Sequence, residues 1–282
     1  MDEFTRLLLA VVASRHGETH LTARAREPRT TVFADLLRGI SRSERERADE
    51  EASELASRGV GAVLLGSPEY PYLLSRVRTA PPFLFYMGAA DLLNAQGIGM
   101  CGSRNASDEG LRAAVACGEV ATQQGLTVVS GYARGVDTAS HVSALSSDGS
   151  TIIVLPEGIN HFRVKRGPVA DVWNEERVLV VSQFSPGRPW STGNAMARNN
   201  VIIGLSLALV VVEASEKGGT LAAGTKALQL NKPVLALEFA MNPCGNAELI
   251  RHGAISIRNR AELRIRLMEV AKNPQGNQLS MI

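Results

Sequence analysis

Four stretches of this chain combine glycines, hydroxyls and cationic side chains in the pattern that anion binding requires. In CGSRNASDEG (residues 101–110), Gly102 and Ser103 offer uncovered backbone amides. Arg104 adds a guanidinium, which grips a phosphate through two parallel hydrogen bonds. Ser107 is placed to cap the helix that follows, with Asp108 and Glu109 in its first turn. In GLTVVSGYARGVDTASHVSAL (125–145), Ser130 and Gly131 close an apolar run and Gly135 permits a sharp turn. Arg134 is the candidate ligand contact there. In GNAMARNNVIIGLS (193–206), Arg198, Asn199 and Asn200 stand just ahead of an apolar helix, and such donors suit phosphates and base edges. In EASEKGGTLAAGTKAL (213–228), Lys217, Gly218, Gly219 and Thr220 open a helix with bare amides. The spacing is not that of a P-loop. The linker GINHFRVKRGP adds Arg163, Lys165 and Arg166, and Phe162 offers a ring on which a base stacks. Together these groups suit a chain of phosphates better than one small ligand.

Other chemistries fit less well. Gly97-x-Gly99-x-x-Gly102 formally matches a dinucleotide fingerprint. Its first two glycines precede or interrupt the strand they should follow, and Glu119 falls mid-helix. Asp137 and His141, at i and i+4, face each other on a helix. With no nucleophile or metal ligand at a supporting spacing, that pair reads as structural. Cys101, Cys117 and Cys244 form neither a metal pattern nor a disulfide framework and fit a reducing compartment. No catalytic residue, metal or cofactor is therefore expected.

These turns need a scaffold. From about residue 96, the short apolar segments GIGMCG, LTVVSG, STIIVLP, RVLVVSQF, LALVVVEA and KPVLALEF alternate with helical ones. That rhythm implies a parallel sheet covered on both faces. Ligands bind at the carboxyl edge of such sheets, so Arg104 and Arg198 should meet there while adding little to the core. VGAVLLG and PPFLFYMG read as two earlier strands. SRSERERADEEASELASRG reads as a solvated helix starting at Ser43. The expected fold is α/β, extended Rossmann-like, a mostly parallel sheet with helices on both faces. Residues 1–58 form a small helical amino-terminal region, 59–272 the Rossmann-like domain and 273–282 a polar tail. The 30 basic and 28 acidic residues leave a net charge of only +2, so a nucleic-acid surface must be local. MDEFTRLLLAVVASRHGE carries acids ahead of a short apolar run, and VIIGLSLALVVVEA is too short to span a bilayer. A soluble cytoplasmic protein is expected.

CGSRNASDEG, GLTVVSGYARGVDTASHVSAL, STIIVLPEGIN, RNNVIIGLS and VVVEASEKGGTLAAGTKALQLNKPVLAL occur together and in order. In this the chain resembles the DprA/Smf family of DNA-processing proteins, over about residues 60–240. The resemblance implies sequence-independent binding of single-stranded DNA without catalysis. It also implies pairing as a homodimer and loading of a RecA-type recombinase in natural transformation. By position, Gly102, Ser103, Arg104, Ser130, Gly131, Arg198 and Gly218 to Thr220 would line the DNA pocket. The chain departs from the family in five ways: Asn200 stands where an arginine is usual, Gly218-Gly219-Thr220 replaces a Ser-Gly-Ser/Thr turn, HFRVKRGP replaces a Tyr-Pro motif, the first 40 residues do not match the family's small helical domain, and no carboxy-terminal winged helix is expected. A divergent member serving a mobile element or defence is consistent with that. The rival is a nucleotide sensor or a phosphoribohydrolase-like enzyme of the lysine-decarboxylase-like family. Those enzymes carry a glutamate in the helix after the glycine loop, and Thr220 to Leu230 contains no acid. A pure protein-interaction scaffold leaves the glycine-rich anion turns unexplained.

Overall fold

The computed structural model describes residues 1–15, 32–164, 166–240 and 244–272. Lys165 and the expected polar tail lie outside the described residues.

Among the described residues nine strands form one sheet. In chain order they are β1 (Val60–Leu64), β2 (Phe83–Gly88), β3 (Gly97–Cys101), β4 (Thr127–Ser130), β5 (Thr151–Val154), β6 (Val178–Ser182), β7 (Ser206–Val211), β8 (Val234–Leu237) and β9 (Ile255–Ile257). Their spatial order is β1-β2-β6-β5-β4-β3-β7-β8-β9. From β6 to β9 every neighbouring pair is parallel, while β2 meets β6, and β1 meets β2, antiparallel. Each of the six apolar segments expected from residue 96 onward is a strand of this α/β sheet. The short edge strand β9, half-exposed in part, lacks the continuous apolar run that marked the others.

Successive strands step from β3 through β4 and β5 to β6, and the chain then returns to lay β7 on the other side of β3. The β3–β7 boundary is the topological switch point, where the connections leave in opposite directions and open a crevice at the carboxyl edge. Both sheet faces are covered because strand residues alternate sides. Val210 and Val212 join Ile98 and Met100 beneath helices α5 (Asp108–Gln123), α6 (Val136–Ser146) and α11 (Arg260–Lys272). Leu209 and Val211 face the opposite side, toward α8 (Thr192–Leu205) and α9 (Gly219–Gln229).

The amino-terminal helices extend the second layer. Leu7 to Ala13 of α1 (Glu3–Ala13) and Ala48, Ala52 and Leu55 of α3 (Arg42–Ser57) share one apolar cluster with β1 and β2. Helix α2 (Val32–Gly39) adds Phe33, and α4 (Tyr72–Ser75) sets Leu74 against Gly204 of α8. Helix α3 begins at Arg42, and its start signal lies two residues before the expected Ser43. Its cap is Ser41, whose hydroxyl accepts from the Glu44 amide at 3.3 Å while the Glu44 carboxylate accepts from the Ser41 amide at 2.9 Å. Ser43 also has an acid three residues on, but Glu46 pairs with Arg42. The reciprocal pair at Ser41 satisfies more of the helix's first amides. The remaining helices are α7 (Pro168–Asp171) and α10 (Cys244–Arg251).

Candidate nucleic-acid interface

A cleft of about 380 Å³ lies at the switch point. One wall is the loop after β3, with Gly102, Ser103 and Arg104. The other is the turn after β7, where Lys217 and Gly218 lead into the amino terminus of α9 at Gly219 and Thr220. Gly218 and Gly219 make no side-chain cap, so the first amides of α9 face the cleft bare. Arg198 and Asn199 come in from α8. Most of the residues singled out in the sequence are thus brought together.

Arg198 differs in one respect from the expectation. It does not precede its helix but sits two turns inside, because α8 already starts at Thr192, capped by the Ser191 hydroxyl. Its side chain drops from the helix to the cleft floor and is only 7% exposed. Gly131 makes room for it, since a Cβ there would lie 1.2 Å from Arg198 Nη1. The Asp137 carboxylate lies 3.9 Å from that nitrogen, which is a charge contact and too long for a hydrogen bond. Among the described residues the Arg198 side chain makes no hydrogen bond, and its Nε is buried without a partner. Burial pushes the Asp137 carboxyl above its usual value, and Arg198 opposes that rise. Burial likewise pulls Arg198 below its ordinary value; Asp137 counters this, and the nearby Arg104 charge adds to it. A buried cation with unused donors, beside a second cation, is poised for an anion. Arg198 therefore belongs to the core as well as to the cleft, contrary to the expectation that it adds little there.

The other sequence candidates take supporting positions or lie elsewhere. Ser130 is fully buried, and its hydroxyl donates to the Met100 carbonyl at 2.7 Å, tying β4 to β3. With Gly131 it shapes the cleft from below and does not line it. Arg134 is exposed and bonds the Arg104 carbonyl and the Asn105 side chain, so it braces the loop that carries Arg104. Phe162 is 6% exposed, packed between Tyr132 and Trp173 with ring centroids 5.7 and 5.8 Å away. Its ring is core and offers no face to a base. Arg163 bonds the carbonyls of Asn160 and Phe162, away from the cleft lining. In the loop after β3 the Ser103 amide, read from the sequence as uncovered, donates to the Glu213 carbonyl at 2.8 Å. Glu213, at the end of β7, accepts from the Ser107 amide at 3.1 Å and its hydroxyl at 2.6 Å. His141 is fully buried, with Nδ1 2.6 Å from the Thr151 hydroxyl, while Asp137 turns to Arg198.

The turn at Gly135 fixes this geometry. Its φ of +85° is left-handed, and a Cβ would lie 2.3 Å from the Ser103 carbonyl oxygen. Only glycine lets α6 start hard against the β3 loop.

Sequence reasoning missed Trp190. Its indole, 49% exposed, lines the cleft beside Met196, itself 42% exposed. The signal was present: a lone tryptophan in SPGRPWSTGN, a stretch of loop residues with no apolar periodicity to bury it.

Fold and site together define a Rossmann-like α/β protein with a cationic, phosphate-suited cleft at its switch point and a nearby aromatic face. Residues 61–268 match the family described as DNA recombination-mediator protein A, and the chain belongs to that family. Protein Smf of Synechocystis sp. is 31% identical over 222 residues, 76% of this chain and 56% of that protein. DNA processing protein DprA of Streptococcus pneumoniae is 33% identical over 168 residues, 60% of this chain and 59% of that one. The chain thus spans somewhat over half the length of these relatives. The X-ray structure of the Streptococcus pneumoniae protein covers 92% of both chains at a TM-score of 0.67 and 26% identity. The fold is also that of DNA processing protein A from Helicobacter pylori, at a TM-score of 0.64 and 22% identity over 74% of this chain and 96% of that one. That structure concerns the single-stranded DNA binding mode of the Helicobacter pylori protein. Among the described residues no helix is long and apolar enough to cross a membrane.

Proposed function

We propose that the switch-point cleft binds single-stranded DNA through its phosphates, independently of sequence and without chemical change to the strand. The observation that carries this is Arg198: 5% exposed, its side chain without a hydrogen bond among the described residues and flanked by a second arginine. A bound phosphate would satisfy the guanidinium, accept the bare amides of α9 and neutralise the Arg104–Arg198 repulsion in one step. Lys217 extends the cationic track along the rim, and Trp190 supplies a face for a base, which a strand presents and a paired duplex hides. Binding without catalysis is supported by the cleft's chemistry. Burial, and then the Asp137 charge, raise the Cys101 thiol's pKa well above its usual value, so it is no thiolate nucleophile. Asp137 is held against Arg198.

Family membership extends the proposal to self-association as a dimer and to delivery of the strand to a RecA-type recombinase in the cytoplasm. The nucleotide-enzyme reading loses ground because α9 carries no acid. The test is a titration of a labelled single-stranded oligonucleotide into the parent and the Arg104→Ala/Lys217→Ala double variant. Both side chains are exposed, so the fold should persist while affinity falls at least tenfold. Unchanged affinity in a folded double variant places the strand elsewhere.

A further inference from the structure

Helices α8 and α9 pack side by side and leave between them a groove of about 700 Å³. Its floor is apolar, with Met196, Ala197, Leu221 and Ala222. Its sides carry the amides of Asn199, Asn200 and Gln229. Among the described residues none of these three side chains makes a hydrogen bond; Asn199 and Asn200 are half-buried and Gln229 is exposed. Met196, Asn199, Lys217 and Gly218 line both groove and cleft, so the two form one continuous depression.

A nucleotide has the matching division. Its phosphate is charged, and its base is a flat ring with apolar faces and hydrogen-bonding edges. The cleft suits the first part and the groove suits the second. An apolar protein segment would fit less well, because it would cover amide groups and leave them unsatisfied.

We propose that the groove is a nucleobase subsite, taking a base of the same strand whose phosphates lie in the cleft, and that its amides make affinity depend on the base. This rests on the phosphate reading of the cleft. Carboxamides pair in two-bond fashion with the N6 and N7 edge of adenine, so adenine is the expected preference. The affinity of the chain is then only partly independent of sequence: the cleft is indifferent and the groove is not.

The experiment compares three 12-mers of equal phosphate count: oligo-dA, oligo-dT and a fully abasic strand. Each is titrated against the parent, Ala222→Phe and Asn200→Ala, with melting temperatures recorded alongside. Expected are tighter binding of dA than dT by about threefold to tenfold, and weaker binding of the abasic strand than of either. The phenyl ring of Ala222→Phe fills the groove and should lower dA affinity to that of dT or below while leaving the abasic strand unaffected. That selectivity separates the groove from Trp190, whose stacking persists in the variant. Asn200→Ala, a milder change that keeps the test informative should the phenyl variant misfold, should erase most of the dA–dT difference. Equal binding of dA and dT by the parent, or a dA preference that survives both variants, overturns the groove while the cleft reading stands. Failure of all three strands to bind overturns the cleft reading and the groove with it.

Discussion

Gly131→Ala adds a single methyl group directly beneath the guanidinium that carries the proposed function. The new Cβ would lie 1.2 Å from Arg198 Nη1 and 2.1 Å from its Cζ. Ordinary contact begins at about 3.5 Å, so the guanidinium must retreat by roughly 2 Å. The surroundings are close-packed, with Arg198 5% and Asp137 7% exposed. Overpacking of this kind costs about 1–3 kcal/mol of stability. The displaced donors also lose the phosphate, a further loss of about 1.5–3 kcal/mol of binding for charged hydrogen bonds, or tenfold to somewhat above a hundredfold in Kd. A double-mutant cycle isolates the cause. Arg198→Ala alone leaves Asp137 a buried carboxylate without its counter-charge, which costs up to about 3–5 kcal/mol unless it takes up a proton. With the arginine gone, the three atoms nearest the extra methyl are removed, so Gly131→Ala should be nearly neutral in that background. Denaturant unfolding gives the stabilities, and fluorescence polarisation with a labelled strand gives the affinities. Additivity within about 0.5 kcal/mol, or a single Gly131→Ala variant that binds and melts as the parent does, refutes the placement of Arg198.

Arg104→Ala should weaken strand binding by about 1–3 kcal/mol and make the salt dependence shallower by about one contact, with the melting temperature unchanged because the side chain is exposed. An unaltered salt slope would remove Arg104 from the phosphate path. Trp190→Ala should lose about 1–3 kcal/mol of strand affinity at little cost in stability. In the parent, indole fluorescence should be quenched on binding, and the quenching should disappear in this variant, leaving the signal of Trp173, which packs on Phe162. Quenching that survives Trp190→Ala counts against the stacking face. Lys232 is buried at the opposite sheet edge, its ammonium donating to the Ser206 carbonyl at 2.5 Å, and burial pulls its pKa from 10.5 to about 8. The unfolded chain therefore holds a proton that the fold has released, so stability rises with pH between about 8 and 10.5 and is lost as pH falls through 8. Relative to Lys232→Met, the parent should gain stability across that window and stay level below it; a level difference throughout denies the shift.

The sheet was legible because its strands are continuous apolar runs separated by glycine, proline and serine, and parallel pairing follows from alternation with helices. The antiparallel attachment of β2 to β6 was not, since register between distant strands leaves no local mark. The glycine turns were legible for a related reason: a bare amide needs a residue without a side chain, and Gly218 and Gly219 announce that directly. What escaped were properties that depend on who packs where. Phe162 looked like a base platform beside basic residues, yet Tyr132 and Trp173 bury it. Trp190 looked unremarkable in a loop, yet nothing covers half of it. Spacing alone paired Asp137 with His141, but the tertiary fold brings Arg198 to Asp137 and Thr151 to His141. CGSRNASDEG seemed to offer bare amides, but Glu213, more than a hundred residues away in sequence, accepts from those of Ser103 and Ser107.

The central claim is that this cleft holds the phosphates of an unpaired strand. It is met most directly by titrating the parent protein with a labelled single-stranded 20-mer and with its duplex, each at 50 and 200 mM salt. The account predicts tighter binding of the single strand at both concentrations, with a log–log salt slope of roughly −0.7 per phosphate contacted. Duplex binding as tight as single-strand binding, or an affinity indifferent to salt, would contradict it.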